Sequence, residues 1–400
     1  MSSKPVVIVG ASMGGLRTAE ALRRFGYAGP ITVIGAEMWA PYNRPPLSKE
    51  VLANEVSHQA VAFEQRAATS DVNWVLGTRV VALDAARNSV TDDLGAVHEY
   101  SALVVATGLR PRRLNLPNGA LNGRHVLRTL DDAIGLRTAL VPGAKVVIAG
   151  AGFVGCEVAA TASKLGCTVT VVGRDAHPMV RPLGPALAAE MQRRHEAQGV
   201  HFLMRSGVGD LVGGTSVEAV LLDDGTELPC DVFVEAIGSD ANVEWLEGND
   251  IDLSDGVLVD SAMRALRNNG QVIENVFAIG DLARFTNPDF DSVARRVEHW
   301  NIPTETGKRA GAVIAAQLNG SEKWPAILEE PFKPVPSFWS DQYDVHLLAF
   351  GSLALADRQV LVAGEISGDC VFEYYFGEQL VGVCGIGTRS VVQSYRTKFV

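Results

Sequence analysis

Residues 6–15 read VVIVGASMGG: four β-branched apolar residues run into a glycine turn, and a helical pattern follows over residues 16–25. This order of strand, turn and helix lets the backbone approach a pyrophosphate, while the helix N-terminus supplies amide donors and a positive dipole end. Ser12 replaces the middle glycine of the G-x-G-x-x-G pattern, although its small side chain still permits close approach. The turn taken alone therefore also fits an ordinary structural loop.

The next apolar run supports the binding interpretation. Residues 31–35 read ITVIG and are followed by Ala36 and Glu37. A carboxylate at the end of the second strand of such a βαβ unit can accept both hydroxyls of an adenosine ribose. Glu37 would be unremarkable as a plain surface acid, but in this position we interpret it as a ribose ligand. The N-terminal segment is thus predicted to bind one dinucleotide.

We call such a strand, glycine turn and helix a cradle. A second cradle, further along the chain, has the complete motif. Residues 146–155 read VVIAGAGFVG, which is G-x-G-x-x-G directly after a strand pattern. A helical pattern over residues 156–165 and the strand pattern TVTVV over residues 168–172 follow. This spacing is a strong signal for a second dinucleotide site.

The end of that second strand lacks the expected ribose acid, because Gly173, Arg174 and Asp175 stand there. An acid would select NADH by binding the 2′-hydroxyl, whereas an arginine tolerates the 2′-phosphate of NADPH. Arg174, together with Arg181, is therefore a candidate for accepting NADPH. The alternative is a solvated basic loop in which Asp175 covers the ribose, and the sequence leaves both open.

Two dinucleotide sites in one chain indicate hydride transfer, and a nicotinamide with a flavin is the simplest donor and acceptor pair. Two further stretches fit the flavin: LVVATG at residues 103–108 and NVFAIGD at residues 275–281. In the second, a glycine can approach the flavin chain while Asp281 accepts a hydroxyl of the ribityl chain. We expect FAD in the first cradle and NADH or NADPH in the second.

With these residues in place, the chain resembles the FAD-dependent pyridine nucleotide reductases. It is most similar to the ferredoxin reductases of bacterial oxygenase and cytochrome P450 systems, the group of putidaredoxin reductase and rubredoxin reductase. The resemblance covers essentially the whole chain and includes PYNRPPLSK at 41–49, LRTLDD at 127–132, VEHW at 297–300 and FWSDQY at 338–343. It implies an α/β fold with two Rossmann-like dinucleotide-binding domains, as in glutathione reductase, and a small α+β C-terminal domain.

The motifs and the resemblance together give the candidate site residues, and no catalytic acid, base or nucleophile is nominated among them. The resemblance implies that Lys49, Glu157 and Trp300 line the site of the flavin and the nicotinamide. The candidates for FAD are Gly10, Ser12, Met13, Gly14, Ala36, Glu37, Arg44, Lys49, Val80, Ala106, Thr107, Gly108, Arg128, Gly280, Asp281, His299 and Trp300. The candidates for NAD(P)H are Gly150, Gly152, Phe153, Val154, Gly155, Glu157, Gly173, Arg174, Arg181 and Gly238.

Several of these candidates have a plainer interpretation. Lys49 and Arg128 also fit surface ion pairs, Trp300 also fits a core aromatic, and Glu157 also fits an exposed acid on a helix. The chain departs from the family pattern at Ser12 and Gly173, over NIPTETG at 301–307, and at Asp344. These departures affect the nucleotide preference and the shape of the flavin pocket rather than the identity of the cofactors.

The cysteines decide which reductase chemistry the chain can perform. Disulfide and peroxide reductases need a thiolate at the flavin, but residues 42–52 contain no cysteine. The five cysteines are scattered, without a C-x-x-C pair or a grouping for a metal or an iron–sulfur cluster: Cys156, Cys167, Cys230, Cys370 and Cys384. Electrons must therefore leave the flavin directly for a separate protein.

The predicted mechanism is hydride transfer from NAD(P)H to flavin N5, followed by single electrons to a [2Fe–2S] ferredoxin. The rival interpretations are a redox-responsive binding protein like apoptosis-inducing factor, an NAD(P)H oxidase and a rubredoxin reductase. A basic docking patch for an acidic ferredoxin is a further hypothesis, against the simpler possibility of solvated charges. Its candidates are Arg295, Arg296, Lys308, Arg309, Arg396 and Lys398.

Composition limits the number of domains, the location and the classes of partner that the chain can have. The 400 residues are 47% hydrophobic and 20% charged, which predicts a globular chain of two or three domains. No apolar run approaches the roughly 18 residues of a membrane span, and the start leaves no room for a signal peptide, so we expect a soluble cytoplasmic protein. The net charge of −11 argues against nucleic-acid binding. A monomer and a homodimer are both compatible with the sequence.

The domain boundaries follow from turn residues and from changes in pattern. We expect a split FAD-binding domain at 1–112 and 236–320, an NAD(P)H-binding domain at 113–235, and a C-terminal domain at 321–400 that covers the flavin edge. Residues 207–214 and 223–226 are predicted as hairpin turns, and residues 305–318 as a helix that closes the FAD domain. Alternation over residues 371–376 and 379–383 predicts antiparallel strands in the last domain.

Overall fold

A computed structural model describes residues 4–399. Its helices are α1 (Met13–Arg24), α2 (Glu50–Ala53), α3 (His58–Val61), α4 (Leu130–Ala139), α5 (Phe153–Lys164), α6 (Val180–Glu196), α7 (Ile302–Leu318), α8 (Trp324–Glu329) and α9 (Arg389–Ser394). Its strands are β1 (Val6–Val9), β2 (Ile31–Gly35), β3 (Asn73–Leu76), β4 (Val80–Asp84), β5 (Ser89–Asp92), β6 (Val97–Glu99), β7 (Ala102–Val105), β8 (Leu109–Pro111), β9 (Arg124–His125), β10 (Lys145–Ala149), β11 (Thr168–Gly173), β12 (His201–Met204), β13 (Val208–Val212), β14 (Ala219–Leu222), β15 (Glu227–Pro229), β16 (Val232–Glu235), β17 (Ser239–Ala241), β18 (Val257–Leu258), β19 (Arg264–Leu266), β20 (Val272–Ala278), β21 (Ala283–Asn287), β22 (Asp291–Arg296), β23 (Ser337–Gln342), β24 (Val345–Gly351), β25 (Arg358–Gly364), β26 (Cys370–Phe376) and β27 (Gln379–Ile386).

The chain divides into two compact units. Unit 1 contains the chain up to Asn43, Ala62–Leu109 and Ala241–Pro336. Unit 2 contains Arg44–Val61, Arg110–Asp240 and the chain from Ser337 onward. Each unit holds one of the two glycine motifs.

The main sheet of unit 1 has the strand order β19-β20-β7-β1-β2-β3, in which β20 to β3 are parallel and β19 is antiparallel. All four residues of β1 are buried, as expected for a central strand covered on both faces. Helix α7 packs on α1 through small residues: a Cβ added to Gly311 would lie 2.5 Å from the Cβ of Ala21. The predicted helices at 16–25 and 305–318 are confirmed as α1 and α7.

Unit 2 contains a parallel sheet of order β12-β11-β10-β16-β9. Helix α5 follows β10, and α6 connects β11 to β12. The backbone of α6 is interrupted at Gly184, whose φ of 72° is followed by Pro185. The interruption leaves the carbonyl of Leu183 outside the helical pattern, and the side chains of Gln359 and Tyr374 donate hydrogen bonds to it. The break is therefore satisfied within unit 2.

A second sheet of unit 2 is antiparallel, with the order β23-β24-β27-β26-β25. The strands predicted at 371–376 and 379–383 are confirmed as β26 and β27. Residues 324–329 form the short helix α8, and the first strand of this sheet begins after it, at Ser337. No helix within residues 4–399 is long and apolar enough to span a lipid bilayer.

One predicted turn is wrong. Residues 207–214 were expected to form a hairpin turn, but most of them form strand β13, paired antiparallel with β14. Val208 and Leu211 are buried in a core with residues of β14, and this burial outweighs the weak strand preference of the neighbouring glycines. The turn predicted at 223–226 is confirmed, since it joins β14 to β15.

Candidate functional site

The first cradle lies in unit 1, where β1 ends. Gly10 has a φ of +127°, which L side chains rarely adopt, and a Cβ there would run into the carbonyl of Ala106. A Cβ on Gly15 would in turn meet the carbonyl of Gly10. Helix α1 begins at Met13 with no acidic residue in its first turn and no capping hydrogen bond from the Ser12 side chain. The first backbone amides are therefore available to an anion, which fits the pyrophosphate of a dinucleotide.

The acid predicted to bind ribose is held in place. Glu37 follows β2 and is half-buried, and its Oε2 accepts a hydrogen bond of 2.5 Å from the Tyr42 hydroxyl. The adjacent Ala36 is exposed. Tyr42 belongs to a segment quoted for its family resemblance, but sequence reasoning gave it no role. Its hydroxyl orients the Glu37 carboxylate at the end of the strand.

The turn after β7 is fixed by an asparagine that the sequence analysis missed. The Thr107 hydroxyl donates to the carbonyl of Asn242 at 2.7 Å, and the Asn242 side chain donates back to the carbonyl of Thr107 at 3.0 Å. The Asn242 amide also donates to the carbonyl of Gly108 at 3.0 Å. The predicted residues Ala106, Thr107 and Gly108 thus form a rigid turn beside Gly10.

The Gly280–Asp281 motif lies in a single turn of 3₁₀ helix after β20. The amide of Gly280 donates to the hydroxyl of the buried Thr306 at 2.9 Å. That hydroxyl donates to the carbonyl of Ile302 at 2.6 Å, so the first turn of α7 sets the position of the motif. Thr306 lies in the segment where the chain departs from the family pattern.

Three other flavin candidates of unit 1 have different environments. Trp300 is 39% exposed, which excludes a core aromatic, and its indole donates to Asn43 Oδ1 at 3.0 Å. Partial burial lowers the pKa of His299 to about 4, so its imidazole is neutral near neutral pH. Val80 is buried at the start of β4.

Two predicted flavin residues lie together in unit 2. The Arg44 guanidinium donates to the carbonyl of Arg128 at 2.6 Å. The amide of Arg128 donates to Asp132 at 3.0 Å, and Asp132 forms a capping box with Thr129 at the start of α4. The helix cap therefore fixes the segment that carries Arg128.

The second cradle lies in unit 2 and repeats the geometry of the first. Gly150 has a φ of +108°, and a Cβ there would run into the carbonyl of Ala236. A Cβ on Gly155 would meet the carbonyl of Gly150. Helix α5 begins at Phe153 after Gly152, with no acid in its first turn and no side-chain cap. This arrangement also fits a pyrophosphate.

Two more predicted nucleotide residues lie at this end of the parallel sheet. Val154, in the first turn of α5, is 44% exposed. Gly238 has a φ of +101°, and its carbonyl accepts a hydrogen bond of 2.9 Å from the amide of Arg112. The ring of Phe153 lies 5.1 Å from that of Phe338.

Glu157 and Lys49 form a buried ion pair in unit 2. The Lys49 ammonium lies 2.7 Å from Glu157 Oε2, and Glu157 is 7% exposed. The hydroxyls of Ser48 and Ser340 donate to the two carboxylate oxygens, each at 2.5 Å. Glu157 is therefore not an exposed helix acid, and Lys49 is not part of a surface ion pair.

The bonding continues from Glu157 into the core of unit 2. The Gln342 amide nitrogen donates to the Ser340 hydroxyl at 2.9 Å, and the Gln342 oxygen lies 2.6 Å from His195 Nε2. Burial lowers the pKa of His195, so the ring is neutral and carries its proton on Nε2, facing the amide oxygen. Sequence reasoning gave Ser48, Gln342 and His195 no role, because distant parts of the chain supply them. Ser48 and Gln342 lie in segments quoted for the family resemblance, whereas no motif marks His195.

The end of β11 shows where the candidate arginines lie. The Arg181 guanidinium donates to both oxygens of Asp175, at 3.1 and 3.2 Å. Arg174 is 75% exposed and reaches Asp223 at 3.7 Å. The structure thus ties Asp175 to Arg181 and leaves Arg174 at the surface.

All five cysteines are free thiols, and four of them are buried. Burial raises the pKa of the Cys156 thiol and raises that of Cys230 to about 12. Neither is a thiolate near neutral pH, so neither has the reactivity that disulfide exchange requires.

Comparison with known proteins gives a consistent result. Residues 4–307 match the family described as pyridine nucleotide-disulphide oxidoreductase. The chain is 36% identical over 368 residues to the ferredoxin–NAD(+) reductase component of the anthranilate 1,2-dioxygenase system of Burkholderia cepacia, covering 91% of this chain and 86% of that protein. It is 31% identical to a rubredoxin–NAD(+) reductase of Ectopseudomonas oleovorans, over 94% of each chain.

A solved structure extends the likeness to three dimensions. The reductase in the crystal structure of the covalent putidaredoxin reductase–putidaredoxin complex superposes with a TM-score of 0.89 at 29% identity, covering 100% of this chain and 93% of that one. The predicted fold class is confirmed by this likeness.

Proposed function

The chain belongs to the pyridine nucleotide-disulphide oxidoreductase family, and from this premise we propose that it is an NAD(P)H-dependent ferredoxin reductase of an oxygenase or cytochrome P450 system. FAD and NAD(P)H are the cofactors of such reductases. The observation that carries the proposal is one glycine cradle in each unit, in a chain whose residues 42–52 contain no cysteine. A cytoplasmic location goes with it, because NAD(P)H is available there.

The side chains of this protein bind and orient in the proposed reaction. Conversion of a two-electron donor into two single electrons is the chemistry that a bound flavin supplies. We assign the first cradle, with Glu37, to the adenosine diphosphate part of FAD, and the second to the pyrophosphate of NAD(P)H. We assign Glu157, held by Lys49 and two hydroxyls, to the nicotinamide, where its fixed carboxylate orients the substrate.

The remaining expectations are part of the same proposal. We assign residues 1–112 and 236–320 to FAD, residues 113–235 to NAD(P)H, and residues 321–400 to a cover over the flavin edge. We further propose that the electron acceptor is a [2Fe–2S] ferredoxin. A solved reductase captured with its redox partner supports a protein acceptor, and the absence of a cysteine cluster in this sequence leaves the iron–sulfur centre to that partner.

Anaerobic stopped-flow spectroscopy tests the proposal on the full chain. The purified protein is expected to be yellow, to lose its flavin absorbance on mixing with NADH or NADPH, and to regain it rapidly with a [2Fe–2S] ferredoxin. Rubredoxin and oxygen serve as comparison acceptors in matched mixing experiments.

Each other result contradicts the proposal in a defined way. Faster reoxidation by rubredoxin identifies a rubredoxin reductase, and faster reoxidation by oxygen identifies an oxidase. Slow reoxidation by every acceptor indicates a redox-responsive binding protein. A colourless chain that takes up no flavin on reconstitution overturns the assignment of the first cradle.

A further inference from the structure

Gly173, Arg174 and Asp175 follow one another at the end of β11, where the adenosine ribose of a nucleotide in the second cradle would lie. Strand β11 ends at Gly173 as β2 ends at Gly35, so no carboxylate stands at the strand end itself, and Asp175 has the place that Glu37 has in the first cradle. A Cβ at Gly173 would lie 2.9 Å from Met204 Cε and 3.0 Å from the Cβ of Ala151. A side chain at this position would have to displace the flexible end of Met204.

The remaining acid next to the strand end is already engaged. Both oxygens of Asp175 accept hydrogen bonds from Arg181, so an arginine offsets its charge and fixes its orientation. This contact weakens the alternative in which Asp175 binds the ribose hydroxyls. The same contact occupies the Nε and Nη2 donors of Arg181.

Two other arginines lie on the segments that meet at the end of β11. Arg174 follows Gly173 directly and is 75% exposed. The loop after β12 is joined to the strand end by backbone hydrogen bonds, from Arg205 to Asp175 at 3.2 Å and from Ser206 to Gly173 at 3.0 Å. Arg205 is exposed and forms no ion pair with any residue between 4 and 399.

The local charge balance favours an anion. Asp223, the acid near Arg174, also accepts a hydrogen bond of 3.1 Å from the amide of Gly207, so it keeps a partner if Arg174 turns away. Arg174, Arg205 and Asp223 together leave one positive charge, beside the neutral pair of Asp175 and Arg181. A phosphate dianion bound beside Gly173 would have Arg174 on the adjacent residue and Arg205 on the loop joined to the strand end, while the nearby carboxylates of Asp175 and Asp223 each keep a partner.

We propose that Arg174 and Arg205 form a binding site for the 2′-phosphate of NADPH, and that NADPH is therefore the preferred electron donor. This inference rests on the proposed function, because it concerns the nucleotide site of the same reductase. It departs from the names of relatives such as the Burkholderia cepacia component, which specify NAD(+).

A binding measurement tests the site without turnover. Isothermal titration calorimetry on the flavin-loaded full chain compares 2′,5′-ADP with 5′-AMP, which differs from it only in lacking the 2′-phosphate. The phosphate is expected to tighten binding by at least about tenfold, since charge-assisted hydrogen bonds from arginine are among the stronger ones. Arg174→Ala and Arg205→Ala are each expected to reduce that difference by up to about tenfold and to leave 5′-AMP binding unchanged. Arg87→Ala, at an exposed arginine of unit 1, is the matched control and is expected to bind both ligands like the unaltered chain.

Stopped-flow flavin reduction provides the second arm. We expect a higher second-order rate constant with NADPH than with NADH, and a loss in Arg174→Ala confined to NADPH. Equal binding of the two adenosine phosphates, or faster reduction by NADH, overturns the inference. If neither nucleotide reduces the flavin, the proposed function fails, while the calorimetric comparison still decides whether the 2′-phosphate site exists.

Discussion

The Glu157 carboxylate accepts hydrogen bonds from Ser48 and Ser340 and forms an ion pair with Lys49. A protonated carboxyl group would offer fewer acceptor positions, so the set of donors fits the ionised form. A buried ion pair of this kind contributes little net stability, because its desolvation cost is comparable to its attraction. Its value lies in holding one carboxylate in one orientation.

The bonds beyond Glu157 have a single direction. His195 donates to the Gln342 oxygen, the Gln342 amide donates to Ser340, and the Ser340 hydroxyl donates to the carboxylate. The Gln342 amide joins the two ends of this series of hydrogen bonds, because its oxygen accepts from His195 and its nitrogen donates to Ser340. Its removal would leave a buried N–H of His195 without an acceptor.

Gln342→Leu is accordingly expected to lower the free energy of unfolding by about 1–3 kcal/mol, the cost of an unsatisfied buried donor. Urea unfolding followed by fluorescence measures the change. Gln271→Leu is the control, because Gln271 is exposed and its replacement should change stability by less than about 0.5 kcal/mol. Equal stability of the two variants would show that the hydrogen bonds around His195 are energetically neutral.

At the scale of elements, both strand–turn–helix units depend on glycines with two separate requirements. Gly150 needs a positive φ, and it also needs the absence of a Cβ because the carbonyl of Ala236 lies against it. Gly199, between α6 and β12, shares the positive φ of +86° but has no atom within 4 Å of an added Cβ. Substitutions at Gly150 and Gly199 therefore distinguish the cost of a positive φ from the cost of a Cβ that collides with a neighbouring carbonyl.

Gly150→Ala is expected to retain FAD and to slow flavin reduction by NAD(P)H by about 100-fold or more, since the displaced turn misplaces the nucleotide. Gly199→Ala is expected to lose about 1–2 kcal/mol of stability from left-handed strain alone and to keep the rate of reduction. Stopped-flow reduction and thermal unfolding of both variants make the comparison. Normal reduction in Gly150→Ala would contradict the assignment of this cradle to NAD(P)H.

Local patterns were sufficient to predict the elements that carry these glycines. The strand predicted at 6–9 is β1, and the helix predicted at 156–165 differs from α5 only at its ends. Such elements join a buried strand to an adjacent helix, so their apolar periodicity and turn residues lie within one short stretch. The same reasoning located Glu37 at the end of β2.

The parts that sequence reasoning missed depend on contacts distant along the chain. Strand β13 is stabilised by its partner β14 despite its glycines. The surroundings of Glu157 come from residues on a 3₁₀ turn and on β23, more than 100 positions away in each direction. Hydrogen bonds across such separations leave no periodic signal in the sequence.

At the scale of the whole molecule, the proposed basic docking patch is largely neutralised by acids. Arg295 pairs with Asp291 at 2.5 Å, and Arg296 pairs with Asp255 at 2.7 Å. Lys308, Arg309 and Lys398 also lie near carboxylates. Arg396 is the candidate that forms no ion pair within the described part of the chain. The charges therefore favour the simpler interpretation of a solvated surface over a strong electrostatic site for a ferredoxin.

Histidines give the whole molecule a defined sensitivity to acid. Burial lowers the pKa of His125 and His195, and lowers that of His299 to about 4. In the unfolded chain each histidine becomes protonated as the pH falls below its ordinary pKa of about 6.5. In the folded chain it stays neutral until the pH is lower. The unfolded state then binds more protons, so stability is complete above about pH 6.5 and falls as the pH drops toward the folded pKa values.

Stability measured by thermal unfolding should therefore decrease between about pH 6.5 and pH 4, by up to about 1.4 kcal/mol per pH unit for each neutral histidine. The onset separates this loss from that of arginine-bound carboxylates such as Glu190, whose lowered pKa moves their contribution to more acid conditions. His195→Gln should make the slope shallower by up to one proton, while Gln271→Leu, which removes no ionisable group, should leave it unchanged. A slope in His195→Gln equal to that of the unaltered chain would show that this imidazole is protonated in the fold, and the donor direction from His195 through Gln342 to Glu157 would then need to be reassigned.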